Sequence, residues 1–196
     1  GALTINGQVT LDNGVTLTNA SGATLTLGGT NGTPILQGAG APAAVINNGT
    51  VNKTGTATQT VNLLFDNGGK VNVATGTLAL NSGGTGTGSY NVAPGALLDF
   101  VSGTYTLGSV TGAGDVDVTG GNVSLGANSS VGTLNISSGA LSVNSGAVLS
   151  IARDLGLSGG VLSGGGNVDV GGRFSWSGGT VSGAGSFTAA SAQFDG

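Results

Sequence analysis

The sequence of 196 residues contains no cysteine, histidine, methionine or glutamate. Zinc sites built on Cys or His, axial haem ligation by His, Cys or Met, and disulfide bonds are therefore excluded. A Ser-His-Asp or Cys-His catalytic machine is excluded as well, because the general base is missing. We therefore expect no cofactor, and only the aspartates remain as candidates for acid chemistry.

Charged side chains are also scarce: they make up 6% of the residues, and the formal net charge is −4. The four basic residues are scattered along the chain, whereas binding to nucleic acid or to an anionic membrane requires clusters of them. No apolar run approaches the roughly 20 residues that span a bilayer. The sequence therefore predicts no nucleic-acid partner and no membrane insertion of this segment.

The sequence begins with glycine and carries no recognisable targeting segment. We interpret residues 1–196 as a single mature segment cut from a longer secreted repeat protein.

Glycine is abundant, at 42 residues, which is a composition also found in flexible low-complexity chains. Disordered chains, however, combine low hydrophobicity with high net charge. Here 38% of the residues are hydrophobic, proline is limited to three residues and charge is low. The composition therefore favours a folded chain.

Apolar and polar residues alternate strictly in short runs from one end of the sequence to the other. Representative runs are Leu25-Thr26-Leu27, Val71-Asn72-Val73, Val116-Asp117-Val118, Leu134-Asn135-Ile136, Val148-Leu149-Ser150-Ile151 and Val168-Asp169-Val170. A period of two predicts strands with one buried face, and the Gly, Asn and Ser residues between the runs predict turns. No segment shows a sustained helical period, so we expect almost no helix.

The runs group into repeated units with glycine turns between them. In the C-terminal half, units begin near Asp115, Thr133, Ile151, Asn167 and Ser186. Upstream the units are longer, and the Gly/Thr/Ser-rich residues 81–89 are interpreted as an enlarged corner loop. A period of about 16–27 residues with two or three short strands per unit predicts an all-β fold, a parallel β-helix (β-solenoid) of roughly ten coils.

This fold predicts which side chains point inward. Val118, Leu134 and Ile151 are expected in the core, where they should tolerate aspartate poorly. Phe174 and Trp176 alternate with Ser175, so both rings should lie on one side of a strand. Packing of the two rings into the core is favoured over an exposed carbohydrate-binding surface.

Aspartates are the only candidates for acid chemistry or metal ligation. Asp115 and Asp117 lie two positions apart and are expected on one outer face, with Asp169 in an equivalent place one or more coils along. The open alternatives are solvated surface carboxylates, a Ca²⁺ site, or a general acid/base pair like that of glycoside hydrolases. The calcium repeat Gly-Gly-x-Gly-x-Asp fits residues 164–169 poorly because Asn167 replaces its third glycine. We favour solvated carboxylates and keep these three aspartates as weak calcium candidates only.

Several stretches resemble the repeats of large secreted bacterial surface proteins, similar to filamentous haemagglutinin-like and autotransporter passenger regions. The resemblance rests on GTVNKTGTATQTV and FDNGGKVNVATGTLALNSGG within residues 49–107, and on TGAGDVDVTGGNVSL and FSWSGGTVSGAGSFT further along. It implies a right-handed parallel β-helix, export to the cell surface, and an adhesive or scaffolding role. These repeats hold no catalytic motif, so no functional residue is carried over.

The expected function is therefore that of an extracellular structural or adhesive rod without catalytic activity. Its partners would be glycans or proteins on the surface of a host or neighbouring cell. Two alternatives remain: a filament or biofilm-matrix subunit that stacks end to end, and a carbohydrate-active enzyme built on a β-helix.

Overall fold

The computed structural model describes residues 1–195, which form twenty-six β-strands and contain no helix. All strand pairs are parallel, and each strand pairs with the strand about 20 residues further along. The chain thus winds into about ten coils of about 20 residues. This confirms the predicted parallel β-solenoid. We number the coils by their first strand, so that coil 1 covers residues 1–23, coil 2 residues 24–49, coil 3 residues 50–69 and coil 4 residues 70–88.

Three faces surround the core; each of the first nine coils contributes one segment to each face, and the last coil contributes only to the first two. The first face stacks β1 (Ala2–Ile5), β4 (Thr24–Leu27), β7 (Thr50–Lys53), β10 (Lys70–Val73), β12 (Ser89–Val92), β15 (Ser109–Thr111), β18 (Ser129–Val131), β21 (Val148–Ile151) and the beginnings of β24 (Asn167–Trp176) and β26 (Phe187–Phe194). The second face stacks β2 (Val9–Leu11), β5 (Ile35–Gln37), β8 (Thr58–Val61), β11 (Thr77–Leu80), β13 (Leu97–Phe100), β16 (Asp115–Val118), β19 (Thr133–Ile136), β22 (Leu155–Leu157) and the ends of β24 and β26. The third face holds β3 (Thr16–Asn19), β6 (Ala44–Asn47), β9 (Leu64–Asn67), β14 (Thr104–Leu107), β17 (Asn122–Leu125), β20 (Ala140–Val143), β23 (Val161–Gly164) and β25 (Thr180–Val181).

The core is a stack of aliphatic side chains supplied by alternate residues of every strand. Val118, Leu134 and Ile151 are buried, as the alternation predicts. Successive coils lie about 4.8 Å apart, so each inward side chain packs directly on the equivalent one in the next coil. The result is a set of continuous columns that run along the solenoid axis.

The repeat units predicted from the sequence begin on the second face in some coils and on the first face in others. Asp115 pairs with Thr133 on the second face, whereas Asn167 pairs with Val148 on the first face, and Ile151 ends β21 there. Both faces use the same alternation of apolar and polar residues, so the pattern alone does not distinguish one face from the other.

Residues 81–89 are not an enlarged corner loop, and that prediction is wrong. Gly84 bridges to Tyr105, its N–H donates to Thr104 O at 3.0 Å, and Gly83 O accepts from Phe65 N at 3.0 Å. This stretch therefore supplies the third-face segment of coil 4, between β9 and β14. A Cβ atom on Gly84 would lie 1.9 Å from the carbonyl oxygen of Phe65, so only glycine fits this rung.

The C-terminal aromatic residues pack inward, as predicted. Phe174 is buried and Trp176 is partly buried against the core, with their ring centroids 5.7 Å apart. Phe187 on the next coil lies 4.8 Å from Phe174, centroid to centroid. The two rings thus extend the core rather than forming an isolated surface platform.

One interior column of the third face is polar where its neighbours are aliphatic. Asn19, Asn47 and Asn67 end the first three strands of this face and are all buried. Asn19 Nδ2 donates to Asn47 Oδ1 at 2.7 Å, and Asn47 Nδ2 donates to Asn67 Oδ1 at 2.8 Å. Asn47 also donates to Lys70 O at 3.1 Å and accepts from Gly49 N at 3.2 Å. We call this stack the asparagine ladder; it satisfies backbone groups at the corner between the third and first faces.

Replacing the middle of the ladder should be costly. Asn47→Ala leaves the amide of Asn19 and the oxygen of Asn67 without their buried partner and also opens a cavity. We expect a loss of about 2–4 kcal/mol in the free energy of unfolding. Asn72→Ala is the matched control: Asn72 donates to Asn52 Oδ1 at 2.8 Å on the outer surface, and its loss should cost about 0.5 kcal/mol or less. Urea unfolding of both variants measures the difference, and equal costs would contradict a structural role for the ladder.

Candidate functional site

The acidic residues proposed from the sequence lie mainly on the outside of the second face. Asp115 and Asp117 both point outward from β16 and are half-buried, while Val116 and Val118 point inward. Asp117 stacks directly on Asp99 of β13, and Asn135 of β19 follows in the same column. Asp117 Oδ1 accepts a hydrogen bond from Asn135 Nδ2 at 2.9 Å.

Asp99 is the carboxylate whose environment is most altered. Burial raises the pKa of Asp99 above its usual value, the hydrogen bond from Thr119 Oγ1 at 2.8 Å opposes this, and the neighbouring negative charge of Asp117 adds to it. Stacking in adjacent coils therefore places two like charges side by side on an outer face.

Asp115 is held differently, by an ion pair with Arg153. Arg153 also donates to Thr133 Oγ1 at 3.1 Å and to Ala113 O at 3.2 Å, so its guanidinium joins three successive coils. Both members of the pair are substantially exposed, and such pairs stabilise a fold only weakly. The guanidinium group of Arg153 thus takes the place beside Asp115 that a bound metal cation would need.

The expectation that Asp169 stacks over Asp115 and Asp117 is wrong. Asp169 lies on the first face, between Ser150 and Thr188, and accepts from Thr188 Oγ1 at 2.8 Å. Within residues 1–195, no three His, Cys, Asp or Glu side chains come together in an arrangement that could hold a metal ion. The structure thus brings together two of the three weak calcium candidates and separates the third from them.

The burial of Asp99, with the charge of Asp117 beside it, generates a pH-dependent prediction. Because the folded chain binds a proton on Asp99 more tightly than the unfolded chain does, the stability this group contributes is fully present below the unfolded pKa of about 3.9. It is lost as the pH rises through the raised folded pKa. Asp99→Asn has no carboxyl group to ionise, so this loss of stability does not occur. The asparagine keeps a side-chain oxygen that can accept the hydrogen bond from Thr119 Oγ1. We therefore expect the free energy of unfolding of the variant at pH 7 to exceed that of the wild type by less than about 1 kcal/mol. This difference should vanish near pH 3.

The measurement is a series of urea midpoints between pH 3 and pH 8. Asp169→Asn is the control, because Asp169 also accepts from a threonine but has no carboxylate above or below it. A gain of equal size in both variants would show that the burial of Asp99 and the neighbouring charge of Asp117 are not the cause.

Lys53 is a buried cation that the sequence analysis did not identify. It ends β7 in an inward position and is fully buried. Its Nζ donates to the carbonyl oxygens of Gly55, Ala57 and Thr75, the last two at 2.9 Å. Burial lowers the pKa of the Lys53 ammonium group. The signal was present in the sequence, because strict alternation from Val51 places Lys53 on the inner side of the strand.

The lowered pKa fixes the sign of a second pH effect. Between the folded pKa of Lys53 and the unfolded value near 10.4, the unfolded chain binds more protons, so stability rises with pH. In Lys53→Met the free energy of unfolding should lack this rise with pH. For one proton the slope of the rise is at most about 1.4 kcal/mol per pH unit. Tyr90 and Tyr105, whose pKa values burial raises, are common to both proteins and cancel in the comparison. Urea midpoints from pH 7.5 to 10.5 test this, with the exposed Lys70→Met as control; a parallel pH dependence in wild type and Lys53→Met would contradict it.

In comparisons with known proteins, no family model, no curated protein and no solved structure matches the chain. In the part of the chain that the structure describes, no helix has the length and apolar character needed to cross a membrane.

Proposed function

We propose that this chain is a segment of an extracellular structural rod that presents an adhesive outer surface and has no catalytic activity. The observation that carries the proposal is the continuity of the parallel ladder, because the first and second faces run unbroken from the first coil to the last. Ten coils at about 4.8 Å each give a rod of roughly 45 Å. The role is passive: backbone pairing and the stacked core supply stiffness.

The outer surface supports an adhesive part of this role. One outward column of the first face is polar in every coil: Thr4, Thr26, Asn52, Asn72, Asn91, Thr111, Ser130, Ser150, Asp169 and Thr188. Hydroxyl and amide groups form hydrogen bonds with glycans and proteins without a strong requirement for charge. The absence of thiols and the low charge fit a protein exposed to oxidising and saline surroundings.

End-to-end assembly is the second candidate, and the exposure of apolar side chains at the two ends favours it. Leu3 in coil 1 is 48% exposed and Phe194 in the last coil is 68% exposed, although both occupy positions that are inward elsewhere in their columns. A second copy stacked head to tail would cover both residues and would continue the parallel pairing.

Two measurements test the proposed function. Antibodies against this chain should label intact, unpermeabilised cells of the organism that produces it, and labelling only after permeabilisation would contradict an extracellular role. Analytical ultracentrifugation of the purified chain should show an elongated particle whose sedimentation does not depend on concentration. Concentration-dependent growth into filaments would favour the second candidate, and turnover of a polysaccharide substrate would overturn the passive role.

A further inference from the structure

The corners between the second and third faces vary in length, and the largest change falls between coils 2 and 3. From coil 5 to coil 9 this corner has three residues. In coil 2 it has six, residues 38–43 between β5 and β6, and in coil 3 it has only two, Asn62 and Leu63, between β8 and β9. A long corner directly above a short one produces a step in an otherwise regular edge.

The long corner is held in one conformation by side-chain contacts. Gln37 Oε1 accepts from Ala43 N at 2.7 Å, and Gln37 Nε2 donates to Gly38 O at 3.1 Å and to Ala41 O at 3.3 Å. The backbone of the same corner pairs with coil 1, through Asn13 N to Ala39 O and Gly14 N to Ala41 O, both at 2.8 Å. The corner is therefore fastened toward coil 1, away from coil 3.

Below this corner lies an open groove of about 480 Å³, which we call the step groove. The residues that define it are Gln37, Pro42, Asn62, Leu63, Leu64 and Ser82, from coils 2, 3 and 4. Its volume is within the range of small-molecule sites. Insertions in repeat proteins commonly project from one side and form the binding surface there, so the interrupted repeat is where a ligand site is expected.

The chemistry of the lining selects a class of ligand. Leu64 is 42% exposed and lies beside the exposed Pro42, which provides an apolar surface. Asn62 accepts from Asn81 Nδ2 at 2.8 Å through Oδ1, and within residues 1–195 its own Nδ2 donates to no side chain or backbone oxygen. Ser82 adds an exposed hydroxyl. None of the lining residues that the structure describes is charged.

We infer that the step groove binds a neutral saccharide. Amide and hydroxyl groups pair with sugar hydroxyls, and the leucine and proline surface packs against the C–H face of a sugar ring. An anionic saccharide finds no basic residue in the groove, and the chain as a whole carries a net negative charge. A peptide that adds a strand is disfavoured because the strands that border the groove are already paired: β8 pairs along its length with β11, and β9 pairs with β6 on one edge and with the backbone of Gly83 and Thr85 on the other. This inference rests on the proposed adhesive role and assigns it a place and a ligand class.

The test uses the full chain and a panel of immobilised neutral and anionic oligosaccharides, followed by titration calorimetry and NMR shift mapping with the neutral oligosaccharide that is retained best. We expect binding of a neutral member and shifts confined to the groove residues. Leu64→Ser should weaken binding about tenfold, because it removes most of the apolar surface, and Ser82→Ala should weaken it about fivefold through one lost hydrogen bond. Val161→Ser is the matched control, since Val161 occupies an outward position in the same column of the third face, and it should change binding less than twofold.

Retention of anionic sugars alone, retention of no sugar, or shifts located outside the groove would overturn the inference. Equal weakening by Leu64→Ser and Val161→Ser would overturn it as well, and shift mapping on the unchanged chain gives an answer even where a variant folds poorly. Displacement of the sugar by an unrelated neutral peptide would also count against it. None of these outcomes bears on surface labelling or on sedimentation, so the failure of this inference is distinguishable from failure of the proposed rod.

Discussion

The structure depends on the register in which each coil pairs with the next. Side chains alternate with a period of two, so a slip of one residue between neighbouring strands would move a whole set of apolar side chains to the outer surface. Parallel pairing in register also places each residue directly above its equivalent, as Val71 lies between Val51 and Tyr90. The size, polarity and charge of each side chain therefore act directly on the equivalent side chains in the two neighbouring coils.

This constraint explains why the three buried asparagines occur in one column. An isolated asparagine in an aliphatic core would leave amide groups without partners, at a cost of about 1–3 kcal/mol each. Stacked asparagines satisfy one another, which offsets this cost for Asn19, Asn47 and Asn67. The same stacking works against like charges, because Asp99 and Asp117 cannot separate without breaking the ladder that holds their strands. Lys53 shows the third case: it has no side-chain partner in its column, and the carbonyl oxygens of a corner take that place.

The sequence predicts the fold class and most of the core, because the alternation of apolar and polar residues that indicates a strand can be recognised over only three or four consecutive residues. Val118, Leu134, Phe174 and Trp176 were placed correctly on that basis. The faces could not be assigned, since all three use the same alternation, and this is why Asp169 was expected to stack with Asp115. Residues 81–89 were misread because a rung of glycine has no alternation to detect, although it pairs with β9 and β14 as a strand would. Lys53 was missed because a charged residue interrupts the apolar series of β7, even though the phase of that strand places it inside.

Regularity and specific recognition make opposite demands on a solenoid. A regular stack presents the same surface in every coil, so a ligand that fits one coil fits its neighbours about equally well and slides between them. A discriminating site needs a position that differs from those above and below it, and in this chain the six-residue and two-residue corners of coils 2 and 3 supply it. Both corners lie outside the strands, and the third-face ladder between coils 2 and 3 continues through four residue pairs of β6 and β9, whereas the second-face pairing of β5 with β8 narrows to Ile35 and Val61. In the proposed rod, the paired faces thus supply stiffness and one irregular corner supplies selectivity.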